Sequence, residues 1–356
     1  MAKKHYIIPF FIPHEGCPYD CVFCNQKKIT GNEQIVNPDA IMTTIDRYRQ
    51  TFPEGDRTVE IAFFGGSFTG IPVRLQETYL EKAREALHAG KADKIRLSTR
   101  PDYIDDDVLK RLRKYGVNTV ELGVQSMDDA VLRMSCRGHS AYDVVRSSEL
   151  IKSYGFSLGL QMMIGLPGDN REKDERTARI ISGLKPDFVR IYPTLVVRGT
   201  ALEIMYNNGK YKPLDLEKAV TISEGLVKIF IKGDIEIIRI GLQPTDLINL
   251  ENEVVAGPFH PSFRQIVDSR VLTGVVNHII GETVDRIGRE LVIEVNPLLL
   301  SSLIGIKKEG INRIRSGFPD IRIRVAQNRE LGKECLRFTA GHKRFEVDYK
   351  EVVKGN

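Results

Sequence analysis

Apolar residues are arranged in two alternating ways along the chain. Short, nearly continuous apolar runs stand at 5–13, 58–67, 94–99, 119–126, 157–168, 188–197 and 234–245. Between them lie longer stretches where apolar residues recur every three or four positions, as in 71–90, which stops at Gly90. A period near 3.6 marks an amphipathic helix, and a continuous apolar run marks a strand buried on both faces. The alternation predicts an α/β fold, a partial (β/α)6 TIM-like barrel, with 234–245 as one more strand. In parallel arrangements of this kind chemistry collects at the C-terminal ends of the strands.

The pattern changes at 256–263, where Gly257, Pro258 and Pro261 mark a boundary. The expected domains are 1–257 and 258–356. The second opens with a helix-like stretch at 264–280. It continues as a strand (291–295), a helix, a turn with two lysines, a helix and a strand (321–325), a smaller α+β unit.

Composition narrows the class. The chain has 356 residues, more than one average domain uses. Fifty-two Lys and Arg against 47 Asp and Glu leave a net charge of +5, compatible with an anionic partner but no argument for one. No apolar run approaches the ~18 residues of a membrane span. The first residues carry a basic pair and a short apolar run without a small-residue cleavage site, so no signal peptide is expected. Five cysteines, three of them crowded, argue against a disulfide framework and for a reducing cytoplasm.

The crowded cysteines are Cys17, Cys21 and Cys24, spaced C-x3-C-x2-C just after the first strand. Three thiolates leave one side of a metal centre open. His14 could complete a Cys3His zinc site. Alternatively the three could hold a [4Fe–4S] cluster with one iron free for another ligand. Ordinary core thiols do not crowd into a loop with Gly16 and Pro18. The spacing favours the cluster and leaves zinc open. Polar residues end several strands: Gly65, Gly66 and Ser67 after the second, Glu121, Gln125 and Ser126 at the fourth, and Gln161 in the fifth. A glycine pair lets backbone approach a ligand closely. Ser126 could equally cap the helix that follows. Arg137 and His139 receive no role, and the isolated Cys136 and Cys335 read as ordinary thiols.

C-x3-C-x2-C with Phe23 before the last cysteine, after the first strand of a β/α barrel, resembles the radical SAM superfamily over at least residues 5–245. The resemblance implies that Cys17, Cys21 and Cys24 hold a [4Fe–4S] cluster whose fourth iron is chelated by S-adenosyl-L-methionine. A low-potential electron donor would then drive cleavage to methionine and a 5′-deoxyadenosyl radical, the cofactor carrying the hard chemistry. It also implies that Gly65, Gly66 and Ser67 lie against the methionine amino group, Ser67 standing where the superfamily has a Glu. Gln125 and Ser126 would reach the ribose, and Gln161 the adenosine.

Within the superfamily, residues 98–105, 120–139, 159–169 and 190–220 are similar to the radical SAM half of the Elongator catalytic subunit. Such enzymes modify the wobble uridine of transfer RNA. The residues after Pro258 are too few for that subunit's acetyltransferase domain and lack its Gly-rich cofactor turn, so the similarity carries the radical half alone. Residues 293–325 resemble a KH domain, whose G-x-x-G loop clamps about four nucleotides of backbone. The loop would be Gly305-Ile306-Lys307-Lys308, with Lys in place of the second Gly, and Gly305, Lys307 and Lys308 would contact RNA; the plain alternative is a structural cap. The leading expectation is a cytoplasmic radical SAM enzyme acting on RNA, specifically tRNA, without a membrane partner. Two others stand beside it: a radical SAM enzyme of small-molecule metabolism, similar to oxygen-independent coproporphyrinogen oxidases, and a zinc-stabilised RNA-binding protein.

Overall fold

The computed structural model of the protein describes residues 4–12, 17, 21–25, 36–242 and 253–355. His14 and the end of the 234–245 run lie outside these.

Seven parallel strands form one sheet in chain order. They are β1 (Lys4–Ile12), β2 (Arg57–Gly65), β3 (Lys94–Thr99), β4 (Thr119–Gln125), β5 (Ser157–Ile164), β6 (Phe188–Pro193) and, after the short β7 (Val196–Val197), β8 (Glu236–Ile240). The intervening helices are α1 (Ala40–Thr51), α2 (Val73–His88), α3 (Asp106–Lys114), α4 (Asp129–Met134), α5 (Ala141–Ser153), α6 (Arg171–Gly183), α7 (Ala201–Asn207) and α8 (Leu216–Lys232). β7 pairs with β9 (Val254–Ala256) in a separate two-stranded ribbon. The architecture is the α/β partial barrel that the alternation predicts, with β8 as its additional strand.

Local chemistry starts the helices where the pattern does. Asp105 accepts from the Val108 backbone N–H before α3, whose first turn is acidic and last turn basic. Ser140 and Asp143 form a reciprocal capping box at α5. Successive strand residues face opposite sides. Ile8, Phe10, Ile61, Phe63, Ile95, Leu97, Val120 and Leu122 are buried in the core. The alternate positions line the concave side.

The remaining elements are α9 (Phe263–Ile287), β10 (Glu290–Val295), α10 (Pro297–Ile304), α11 (Glu309–Gly317), β11 (Arg322–Gln327), β12 (Cys335–Ala340), β13 (Lys343–Asp348) and α12 (Tyr349–Gly355). Their four strands form a second sheet in the order β11-β10-β12-β13, with β10 and β11 parallel. The order strand, helix, turn, helix, strand is the one the sequence predicts. Helix α9 packs on α8 and also on α10 and α11, so one hydrophobic core runs from Ile8 to Val353. No described helix is long and apolar enough to cross a membrane.

Candidate active site

The Cys24 backbone N–H returns to the Cys21 carbonyl at 2.9 Å, which puts both thiols of the C-x2-C pair on one turn. That turn is held from two sides. The Val22 N–H donates to the Ser135 carbonyl at 3.1 Å, and the Leu202 N–H donates to the Val22 carbonyl at 2.7 Å. Cys17 meets the end of β2. Burial pushes its thiol up, against the Ser67 backbone N–H and the Arg137 and Arg100 charges, which pull it down.

All three thiols line one cavity of about 730 Å³ on the concave side of the sheet. Gly65, Gly66, Ser67, Gln125 and Gln161 line the same cavity. Gly65 has φ 97°, a conformation a side chain would resist. Gln125 has φ 66° at the bulged end of β4, and its side-chain oxygen accepts from Gln161 at 3.3 Å. A non-glycine residue held left-handed is a local strain of the kind that collects at functional sites. The Ser67 hydroxyl bonds Thr99 Oγ1 at 2.8 Å and accepts from the Arg100 N–H at 3.3 Å. Ser126 is buried but does not line the cavity. Its hydroxyl accepts from the Asp128 N–H at 3.1 Å, and the cap of α4 is Asp128 rather than Ser126.

Glu121 and Arg190, which line the cavity, belong to a chain of charges. Arg96 bonds Glu60 at 2.8 Å and Glu121 at 2.8 Å, and Arg190 bonds Glu121 at 2.8 Å. His5 closes the outer end on Glu60 at 3.0 Å. The Arg190 guanidinium lies 5.3 Å from the Phe64 ring centre. Strand curvature turns these side chains inward, where opposite charges compensate burial that would be costly singly.

Sequence reasoning passed over Arg137. Its Nη1 donates to the Cys21 sulfur at 3.3 Å and its Nη2 to the Gly123 carbonyl at 2.7 Å. Arg100 holds the Arg137 carbonyl at 2.6 Å. Neighbouring His139 bonds the Val124 carbonyl through Nε2 at 3.1 Å. Burial and the adjacent Arg137 and Arg100 charges push it down to about 3, so it is a neutral donor. The available signal for Arg137 was a lone Arg following a polar strand end, which fits many surface residues equally well.

Among the described residues no group of three His, Cys, Asp or Glu side chains gathers closely enough to hold a single metal ion. The thiols are instead spread around one cavity, as suits a cluster whose ligands bind different irons. The Arg137 Nε is buried without a hydrogen-bond partner. A buried guanidinium with a donor to spare suits a carboxylate, which an amino-acid cofactor brings. The residues therefore fit the cluster and its sulfonium partner.

A model of the radical SAM superfamily matches residues 11–181, and one of the radical SAM C-terminal domain matches residues 186–272. A tRNA uridine(34) acetyltransferase of Methanocaldococcus jannaschii is 29% identical over 247 residues, covering 58% of this chain and 46% of that protein. Elongator complex protein 3 of Homo sapiens is 31% identical over 185 residues, covering 46% of this chain and 34% of that one. The chain thus spans less than half the length of these two curated relatives. The structure of the archaeal Methanocaldococcus infernus Elp3, with an N-terminal deletion, shares the fold: TM-score 0.62 and 23% identity, over 77% of this chain and 64% of that one. Three thiols and a spare guanidinium around one cavity at the strand ends, inside a region that these models match from residue 11 to 272, make this chain a member of the radical SAM superfamily, an enzyme whose cofactors are a [4Fe–4S] cluster and S-adenosyl-L-methionine.

Proposed function

We propose that this protein modifies a nucleotide of transfer RNA by radical chemistry. When bound, the cluster and S-adenosyl-L-methionine supply a radical able to take hydrogen from an unactivated carbon. The chain's own residues do the rest. Cys17, Cys21 and Cys24 hold the cluster, and Arg137 meets the cofactor's carboxylate. Gly65, Gly66 and Ser67 bound its methionine end, with Gln125 and Gln161 toward the nucleoside, while Ser126 stays behind the cavity wall. The reaction runs in a reducing cytoplasm, with a low-potential donor as electron source.

The observation that carries the RNA reading is the position of the lysine loop. Helix α8 follows strands β6 and β7, so its first turn stands at the mouth end of the barrel. Glu217 in that turn pairs with Arg270 of α9. Immediately before Arg270 in α9, Ser269 Oγ lies 3.0 Å from where a Cβ on Gly305 would stand and 2.8 Å from one on Gly310. The loop 305–308 is therefore anchored beside the mouth, with Lys307 and Lys308 exposed. Both lysines are left-handed, at φ 51° and 66°. Such a conformation costs an L-residue about 1–2 kcal/mol, and keeping two charged residues there supports a role in binding phosphate. Residues 258–356 would then carry the RNA and present a nucleotide to the cavity. The relatives whose names specify uridine 34 of tRNA support the same substrate class.

Mass spectrometry of tRNA nucleosides tests the proposal in cells lacking the protein. One modified nucleoside should disappear, return with the wild-type chain and stay absent with Cys21→Ala. Identical nucleoside profiles would refute it.

A further inference from the structure

A cysteine that binds iron keeps negative charge on its sulfur. Hydrogen bonds and charges at that sulfur set how readily the metal centre accepts an electron. Cys21 has such a partner in Arg137, whose Nη1 donates to the sulfur at 3.3 Å. Both residues are buried, so the contact is poorly screened by water and salt.

The seat of this guanidinium is built into the fold. Nη2 is fixed on the Gly123 carbonyl at 2.7 Å. A Cβ on Gly123 would stand 2.6 Å from Nη2 and 3.0 Å from Gln125 Nε2, so a side chain there would push the guanidinium aside. The Arg137 N–H donates to the Leu132 carbonyl at 2.9 Å, and its own carbonyl accepts from Arg100. Ser135, two residues earlier, holds Val22 beside Cys21. One short segment thus ties the cation and the sulfur to each other.

The charge at this point is uncompensated. Arg100 is clamped by both oxygens of Asp102 at 2.9 Å, and His139 is neutral. Arg137 bonds a thiol and a carbonyl and enters no ion pair among the described residues. Placing an electron on a centre held by three thiolates adds negative charge. A fixed cation touching one of those sulfurs stabilises the reduced form over the oxidised one.

We propose that Arg137 raises the reduction potential of the cluster through its contact with Cys21. One electron passes from the low-potential donor to the cluster; Arg137 neither gains nor loses an electron or a proton. It is a positioning residue for this step, acting through Cys21. Its Nε remains for the cofactor's carboxylate. The role belongs to the cluster before S-adenosyl-L-methionine binds, and it is independent of the RNA reading.

A redox titration of the full chain, reconstituted anaerobically without S-adenosyl-L-methionine, tests it. Electron paramagnetic resonance reads the reduced fraction at each potential. At a fixed potential the ratio of reduced to oxidised cluster in Arg137→Met should fall about tenfold or more, a lowering of about 59 mV for a one-electron couple. Arg137→Lys should recover part of the loss, because the charge returns without the fork. Gly123→Ala keeps the charge but displaces it from the sulfur, and its potential should fall by less than that of Arg137→Met. Equal potentials in wild type and a fully iron-loaded Arg137→Met overturn the proposal. If Arg137→Met takes up less iron, Gly123→Ala decides in its place, and an unchanged potential there overturns it. If the wild type yields no cluster signal at all, the cluster assignment falls as well.

Discussion

Arg137 donates to the sulfur of Cys21 at 3.3 Å although 116 residues separate them in the chain. Its other amino group is fixed on the Gly123 carbonyl, so the charge cannot swing away. A permanent cation thereby stands at the edge of the cluster turn, facing the cavity. Arg137→Met keeps most of the side-chain volume and removes the charge. Reconstituted Arg137→Met should retain iron near the wild-type level yet bind S-adenosyl-L-methionine about tenfold or more weakly, since a charge-assisted bond contributes roughly 1.5–3 kcal/mol. Calorimetric titration beside iron analysis checks both halves. Unaltered affinity would remove Arg137 from the cofactor site.

Glu121 bridges two guanidinia that are otherwise buried, Arg96 and Arg190. Arg96 keeps Glu60 if Glu121 is lost; Arg190 has no second carboxylate among the described residues. Glu121→Leu should therefore destabilise the fold by about 3 kcal/mol or more, the cost of stranding a buried charge. Glu121→Leu/Arg190→Leu should recover part of that loss, because no orphaned charge remains. Urea denaturation of the two variants side by side makes the comparison. A double variant less stable than the single one would contradict the account.

Asp174 is buried beside Asp169, and burial together with the Asp169 charge pushes its carboxyl up to about 10. Its value in the unfolded chain is near 3.8. A carboxyl raised on folding contributes fully below its unfolded value, and that contribution drains away as pH climbs toward the folded one. Asp174→Asn mimics the protonated form at every pH. Its melting temperature should match wild type near pH 4 and exceed it by a margin that widens toward pH 9. Thermal melts across that range decide the matter; a constant or shrinking margin would show that the pair is not strained by charge.

Lys308 holds φ 66° where a glycine would be relaxed. Lys308→Gly should stabilise the protein by about 1 kcal/mol, allowing for the entropy a glycine costs the unfolded state. The same change removes a charge from the proposed phosphate-binding loop, so tRNA affinity should fall while thermal stability rises. Melting curves and tRNA titration on one preparation test both directions. Affinity that is unchanged across a salt series would assign the loop to structure alone.

What was legible from residue order was local and periodic. Strands and helices of the barrel follow from apolar spacing, because burial of one face is decided within a few residues. The cysteine turn is likewise local, three ligands within eight positions. The strand–helix–turn–helix–strand order around Gly305 follows from the same spacing. A further signal was present and went unread. Glu60, Arg96, Glu121, Arg190 and Arg239 each interrupt the apolar stretch of a different strand. Which of them pair depends on strand register and on the curvature that turns one face of the sheet inward, and neither is written in any single strand. Arg137 shows the same division. Its sequence neighbours suggest a surface turn, and only the return of the chain between Cys21 and Gly123 makes it a buried cation of the active site. Tertiary structure decided the electrostatics because charges act on whatever lies nearest in space, whereas propensity and periodicity act along the chain.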